Sequence, residues 1–138
     1  MTTVRHEAGL AAVGGKLYVI GGLDPSLSPV ALIDTVEEYD PIANTWTTKG
    51  ARMPTARGAF GTAVLNGLIF AISGYGTWPP TLTNATDMYD PVGDAWSSLA
   101  PSPNSYVWSP VNAVGGKVYV MDNVKGDVFT PSLPPIVN

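Results

Sequence analysis

The chain has no cysteine, which excludes disulfides, thiolate metal centres and cysteine nucleophiles. Histidine occurs once, at His6. A metal site built on it would need two or three further ligands from other loops, and no such set is apparent, so neither a metal nor a cofactor is expected. Charge is also scarce: seven Lys and Arg face eleven Asp and Glu, for a net charge of −4. The basic residues form no run, which argues against nucleic acid or an anionic membrane surface as a partner. No apolar stretch approaches the ~18–20 residues of a membrane span. The opening "MTTVRHEAGLAAVGG" lacks the apolar core of a signal peptide. Together with the missing cysteines, this fits cytoplasmic residence. A nucleophile elbow of the Gly-x-Ser-x-Gly kind and a Lys-bearing phosphate loop are both absent. The sequon "NAT" at 84–86 matters only in a secretory compartment and reads as a chance match.

Glycine, proline and apolar residues are what the chain has in quantity: 15 Gly, 13 Pro and 45% hydrophobic residues. That describes a turn-rich globular chain of one compact domain. It also repeats itself. "VGGKLYVIGG" (13–22) returns as "LNGLIFAISG" (65–74) and "VGGKVYVMDN" (114–123). Gly22 and Gly74 lie 52 residues apart, Tyr39 and Tyr89 lie 50 apart, and Gly67 and Gly116 lie 49 apart. A fixed period near fifty residues signals a repeat architecture.

Each copy reads as four short strands. The first, "AGLAAVG" (8–14), meets the second, "KLYVIG" (16–21), at a Gly-Gly or Asn-Gly dipeptide suited to a two-residue hairpin. The third, "TVEEYD" (35–40), meets the fourth, around "NTWTT" (44–48), through "DPIAN", in which Pro fixes φ and Asp40 accepts backbone N–H bonds. No window sustains helical periodicity. The class is therefore all-β. A lone four-stranded meander cannot bury its faces, and meanders packed radially make a β-propeller of about 4–8 blades.

The combination "YVIGG", "VEEYDP" and a Trp seven residues after the Tyr resembles the kelch repeat. The resemblance covers nearly the whole chain. It implies a partial kelch-type propeller of about three four-stranded antiparallel blades, at about 5–49, 57–100 and 106–138. The signature residues are Gly21, Gly22, Tyr39, Trp46, Arg57, Gly74, Tyr89 and Trp96. The aromatic ones are expected to plug the space between blades, and Arg5 and Arg57 to brace loop backbone. The third copy departs from the pattern: Asp122 and Asn123 replace the glycine pair, Tyr106 stands at the Arg position, Phe129 replaces Tyr39, and Ile136 stands where Trp is due. A kelch-type copper oxidase, which needs a Tyr–Cys cross-link and two His, is excluded.

The long second-to-third connections, 22–34 and 74–86, carry Leu27, Val30, Tyr75 and Trp78 and look exposed. The fourth-to-first connections add Arg52, Tyr106 and Trp108. Two residues after the bracing Arg the family often faces the channel mouth, which here means Glu7, Ala59 and Trp108. A mixed acidic and aromatic rim of Glu7, Arg52, Tyr75, Trp78, Tyr106 and Trp108 is the expected binding face, since recognition favours loops on rigid scaffolds and aromatic anchors. The acidic run Glu37, Glu38, Asp40 reads as a solvated sheet edge. Two function classes follow: a protein- or ligand-recognition module with no chemistry of its own, or a kelch-like sugar mutarotase or epimerase using Arg5, His6, Glu7 and Arg57 around a channel shared between subunits. Three blades do not close a ring, so the chain is expected to be part of a longer propeller, to self-associate with a second copy, or to cap one end with its Pro-rich tail.

Overall fold

The computed structural model describes residues 1–122 and 126–130. Thirteen strands are described, and no helix. The first blade consists of β1 (Gly9–Val13), β2 (Lys16–Ile20), β5 (Val36–Asp40) and β6 (Thr45–Thr48), in the order β1-β2-β5-β6. The second consists of β7 (Gly61–Leu65), β8 (Leu68–Ile72), β9 (Thr86–Asp90) and β10 (Ala95–Ser98), in the same antiparallel meander. The third shows β11 (Val111–Val114), β12 (Lys117–Met121) and β13 (Gly126–Phe129) among the described residues. A finger, β3 (Leu23–Asp24) with β4 (Ala31–Leu32), rises from the first long connection. Asn123, Pro131, Ile136 and the proposed cap lie outside the described residues.

The turns form as their residues dictate. Gly14-Gly15, Asn66-Gly67 and Gly115-Gly116 all have positive φ in both positions, the hairpin geometry whose twist matches the flanking strands. Asp40 accepts N–H bonds from Ile42 and Ala43 at 2.9 and 3.1 Å, and Asp90 accepts one from Val92 at 2.9 Å. Gly22 and Gly74 have φ of 96° and 93°. A Cβ on either would stand 2.5 Å from a carbonyl oxygen, that of His6 or Gly58, so these two positions exclude side chains.

Alternation along the strands gives each blade two apolar faces. Ala11, Tyr18, Ile20 and Val36 of the first blade pack on Phe60, Ile69, Ala71 and Tyr89 around the second. Ala63, Phe70, Ile72 and Met88 pack on Val118 and Val120 of the third. Tyr89 is the plug of the first junction: it is fully buried and lies edge-on to Tyr18 at 6.3 Å. Trp96 packs beside it at 5.1 Å. Tyr39 and Trp46 form the same pair at 4.9 Å, but they stand on the outward face of the first blade, which no other blade covers among the described residues.

The arginines brace the blades as expected. Arg5 donates to the Gly21 and Thr35 carbonyls at 3.0 and 3.2 Å, and Arg57 to those of Ala85 and Ser73 at 2.8 and 3.3 Å. Each also closes a buried ion pair, Arg5–Glu37 at 2.8 Å and Arg57–Asp87 at 2.6 Å. The solvated acidic edge is thereby corrected. Glu37 is fully buried and Glu38 nearly so, because one answers the bracing arginine and the other takes Lys16 and the Tyr18 hydroxyl. In the third blade Tyr106 replaces the arginine and Asp127 keeps the acid, accepting from the Ser102 hydroxyl and the Asn104 side-chain amide.

These acids make the fold sensitive to low pH. Burial pushes Glu37 up, but the Thr2 hydroxyl and N–H and the Arg5 charge outweigh it, leaving the carboxyl below its ordinary 4.5. Burial likewise opposes the hydrogen bonds at Asp94 and Asp127, and both end below 3.8. A carboxyl lowered by folding stabilises above its unfolded value, and its contribution is lost as pH falls through the folded one. Thermal unfolding followed by circular dichroism should hold its midpoint from pH 7 to about 5 and decline below about 4. A midpoint unchanged down to about pH 3 would contradict the pairing.

Candidate functional site

Antiparallel order places the connections 22–34, 49–60, 74–85 and 99–110 at one end of the blades. Three residues at equivalent repeat positions build the inner rim there. Glu7, Ala59 and Trp108 have φ of 56°, 56° and 48°, a left-handed backbone that costs a non-glycine residue of order 1 kcal/mol or more. The conformation is tied to a chain of bonds from blade to blade. The Ala59 N–H donates to the Glu7 carbonyl at 3.0 Å, and the Trp108 N–H to the Ala59 carbonyl at 2.9 Å. A second row runs alongside, from the Gly22 N–H to the Arg57 carbonyl at 2.8 Å and from the Gly74 N–H to the Tyr106 carbonyl at 2.7 Å.

The rim residues differ in what they offer. Trp108 is 70% exposed and Trp78 is 49% exposed. Trp78 rests against Tyr75, ring centroids 6.1 Å apart. Tyr75 does not lie on the surface as expected. It is buried with Leu23 and Ala59, pairs through its backbone with Gly58, and donates its hydroxyl to the Glu7 carboxylate. Burial and that carboxylate push the phenol well above its ordinary value. Glu7 is exposed at its edge but engaged by Tyr75. Tyr106 is likewise buried, in the core between the second and third blades, because it fills the arginine's position. Burial and Asp127 raise it to about 12. Arg52 is exposed and paired with Asp34 at 2.7 Å. Leu27 is exposed and Val30 half-buried.

Of the expected rim, then, Trp78, Trp108, Arg52 and the edge of Glu7 reach solvent, while Tyr75 and Tyr106 support it from below. Leu23 and Tyr75 share a repeat position and both are buried, a signal the alignment of copies already contained. Arg5 and Arg57, candidates for a channel enzyme, sit inside the blades with their side chains sealed in ion pairs. His6 is exposed, its backbone paired with Leu23. No group of three metal-ligating side chains occurs among the described residues, and they contain no helix long and apolar enough to cross a membrane.

The family model described as "Kelch motif" matches residues 5–50 and 56–103. The F-box/kelch-repeat protein SKIP30 of Arabidopsis thaliana is 35% identical over 130 residues, which are 86% of this chain and 36% of that protein. Kelch-like protein 36 of Mus musculus is 32% identical over 107 residues, 76% of this chain and 17% of that protein. The chain thus spans about a third or less of these relatives' lengths. Among solved structures, that of YjhT superimposes with a TM-score of 0.77 at 18% identity, covering 95% of this chain and 53% of that one. Matched motifs over both complete sheets, relatives named for the same repeat, and stacked antiparallel meanders agree that this chain belongs to the kelch-repeat family.

Proposed function

We propose that the chain is a recognition module that binds a protein partner through its loop end, with Trp78 and Trp108 as anchors. Kelch-repeat proteins are generally protein-interaction modules. The observation that carries the reading is Trp108: a large aromatic side chain, 70% exposed, on a backbone fixed in a left-handed conformation by the bond to Ala59. Exposed tryptophan on a rigid loop base loses little entropy on binding and supplies large contact area. Trp78 adds a second ring, backed by buried Tyr75.

Panning a random peptide display library against the immobilised chain tests this. Enriched peptides should lose about thirtyfold or more in affinity to the Trp78→Ala/Trp108→Ala double variant, the size of a hot-spot loss of about 2 kcal/mol. Peptides that bind both forms equally would count against the loop end. An NMR assay showing accelerated mutarotation of a sialic acid or an aldose would replace recognition with catalysis.

A further inference from the structure

We propose that two copies of this chain associate head to tail, three blades from each, closing one ring in which each copy's third blade covers the other's first. This inference stands apart from the recognition reading, because association needs no ligand.

Repeat-equivalent residues show what the two outward faces lack. Leu17 is 37% exposed, while its counterpart Ile69, covered by the first blade, is fully buried. Tyr39 and Trp46 repeat the plug made by Tyr89 and Trp96, on a face with no neighbouring blade among the described residues. On the far side Val114, Met121 and Val128 are 65%, 53% and 58% exposed. At their equivalent positions in the second blade, Leu65 and Met88 pack into the core with the third blade and Ile72 is buried. These outward faces are the two halves of a junction the chain already makes twice internally, so each has the shape and chemistry to cover the other. Left to water they would form apolar patches of the kind that mark an interface.

The backbone gives the same answer. Among the described residues the rim bonds start at a Glu7 N–H with no acceptor and end at a Trp108 carbonyl with no donor. A second copy placed by the repeat would join them, as Ala59 joins Glu7 to Trp108 within one chain. Such a contact is heterologous, and it closes only if the rotation per copy divides the circle. Superposition on 53% of the YjhT chain with a TM-score of 0.77 gives this three-bladed arc the curvature of about half a kelch propeller, so two copies complete the turn.

Light scattering coupled to size-exclusion chromatography, on the whole chain at about 10 μM, is expected to return twice the 14.4 kDa of one copy. A species of 14.4 kDa, or a ladder of larger assemblies, would overturn the proposal whatever the variants do. Leu17→Arg damages one face and Met121→Arg the other. Each alone should weaken association by about a hundredfold or more, since every junction then buries an unpaired charge. Mixed together they should regain a two-copy species, because one junction then holds two native faces. If either variant alone stays dimeric, the contact is face-to-like-face and the head-to-tail arrangement is wrong. Far-UV circular dichroism of each variant separates lost association from lost fold.

Discussion

Arg57→Ala is expected to cost about 3–5 kcal/mol of stability and to lower the thermal midpoint by about 10–20 °C. The side chain is fully buried and is the hub of the second blade. It pairs with Asp87 at 2.6 Å and reaches the Ala85 and Ser73 carbonyls and the Met53 sulfur. Its guanidinium also lies 5.7 Å from the centre of the Phe60 ring, which packs into the core between the first and second blades. Truncation leaves the Asp87 carboxylate buried without its counter-charge, and that uncompensated charge dominates the loss. Ser98 still donates to Asp87 at 2.6 Å, which keeps the figure within the usual range for a broken pair. Arg57→Lys should recover only part, because one ammonium cannot follow the fork of bonds a guanidinium makes. Replacing both partners, Arg57→Met with Asp87→Leu, should cost less than Arg57→Ala alone. A double variant as damaged as the single would show that the pair itself, and not the orphaned charge, carries the energy. Denaturant titration of the four proteins measures all of this.

Tyr89→Ala should cost a similar amount, about 3–5 kcal/mol. Its ring is fully buried between the first and second blades against Tyr18 and Trp96, and nothing nearby can collapse into the space without moving a blade. Tyr89→Phe removes only the hydroxyl bond to Asp94, 2.7 Å long, and should cost about 1–2 kcal/mol. Asp94 keeps its bonds from the Gly50 and Ala51 N–H groups at 2.8 and 3.3 Å, so the link to the preceding connection survives. A Tyr89→Ala loss under about 1 kcal/mol would mean the blades are not joined through this ring.

Much of this was legible in the sequence. Glycine dipeptides set the hairpins, Asp-Pro set the outer turns, and the fifty-residue period set the stack, because each of these depends on residues near in sequence. The Tyr and Trp spacing located the plugs. What stayed hidden depended on partners across the blade. Glu37 reads as solvated because isolated charge on a strand usually is, yet it answers an arginine far earlier in the chain, as Asp87 does in the second copy. Unequal loops blur that separation: it is 32 residues in the first copy, 30 in the second, and 21 between Tyr106 and Asp127 in the third. Tyr75 looked like a loop surface residue by its neighbours Gly, Trp and Pro. Only the alignment with Leu23 pointed inward. Ser73 takes a left-handed φ of 62° where the first copy has Gly21, a conformation no local preference of serine announces.

Native-state hydrogen exchange at four amides goes most directly to whether these sheets are wedges of one ring. Gly22, Ala59, Gly74 and Trp108 sit outside the described strands, and their N–H groups bond only across blade junctions. They should exchange as slowly as Ile69 and Phe70 in the middle of β8, since opening them requires parting two blades. Exchange at the rate of free loop amides, with the strands still protected, would show three sheets that fold beside one another without being joined.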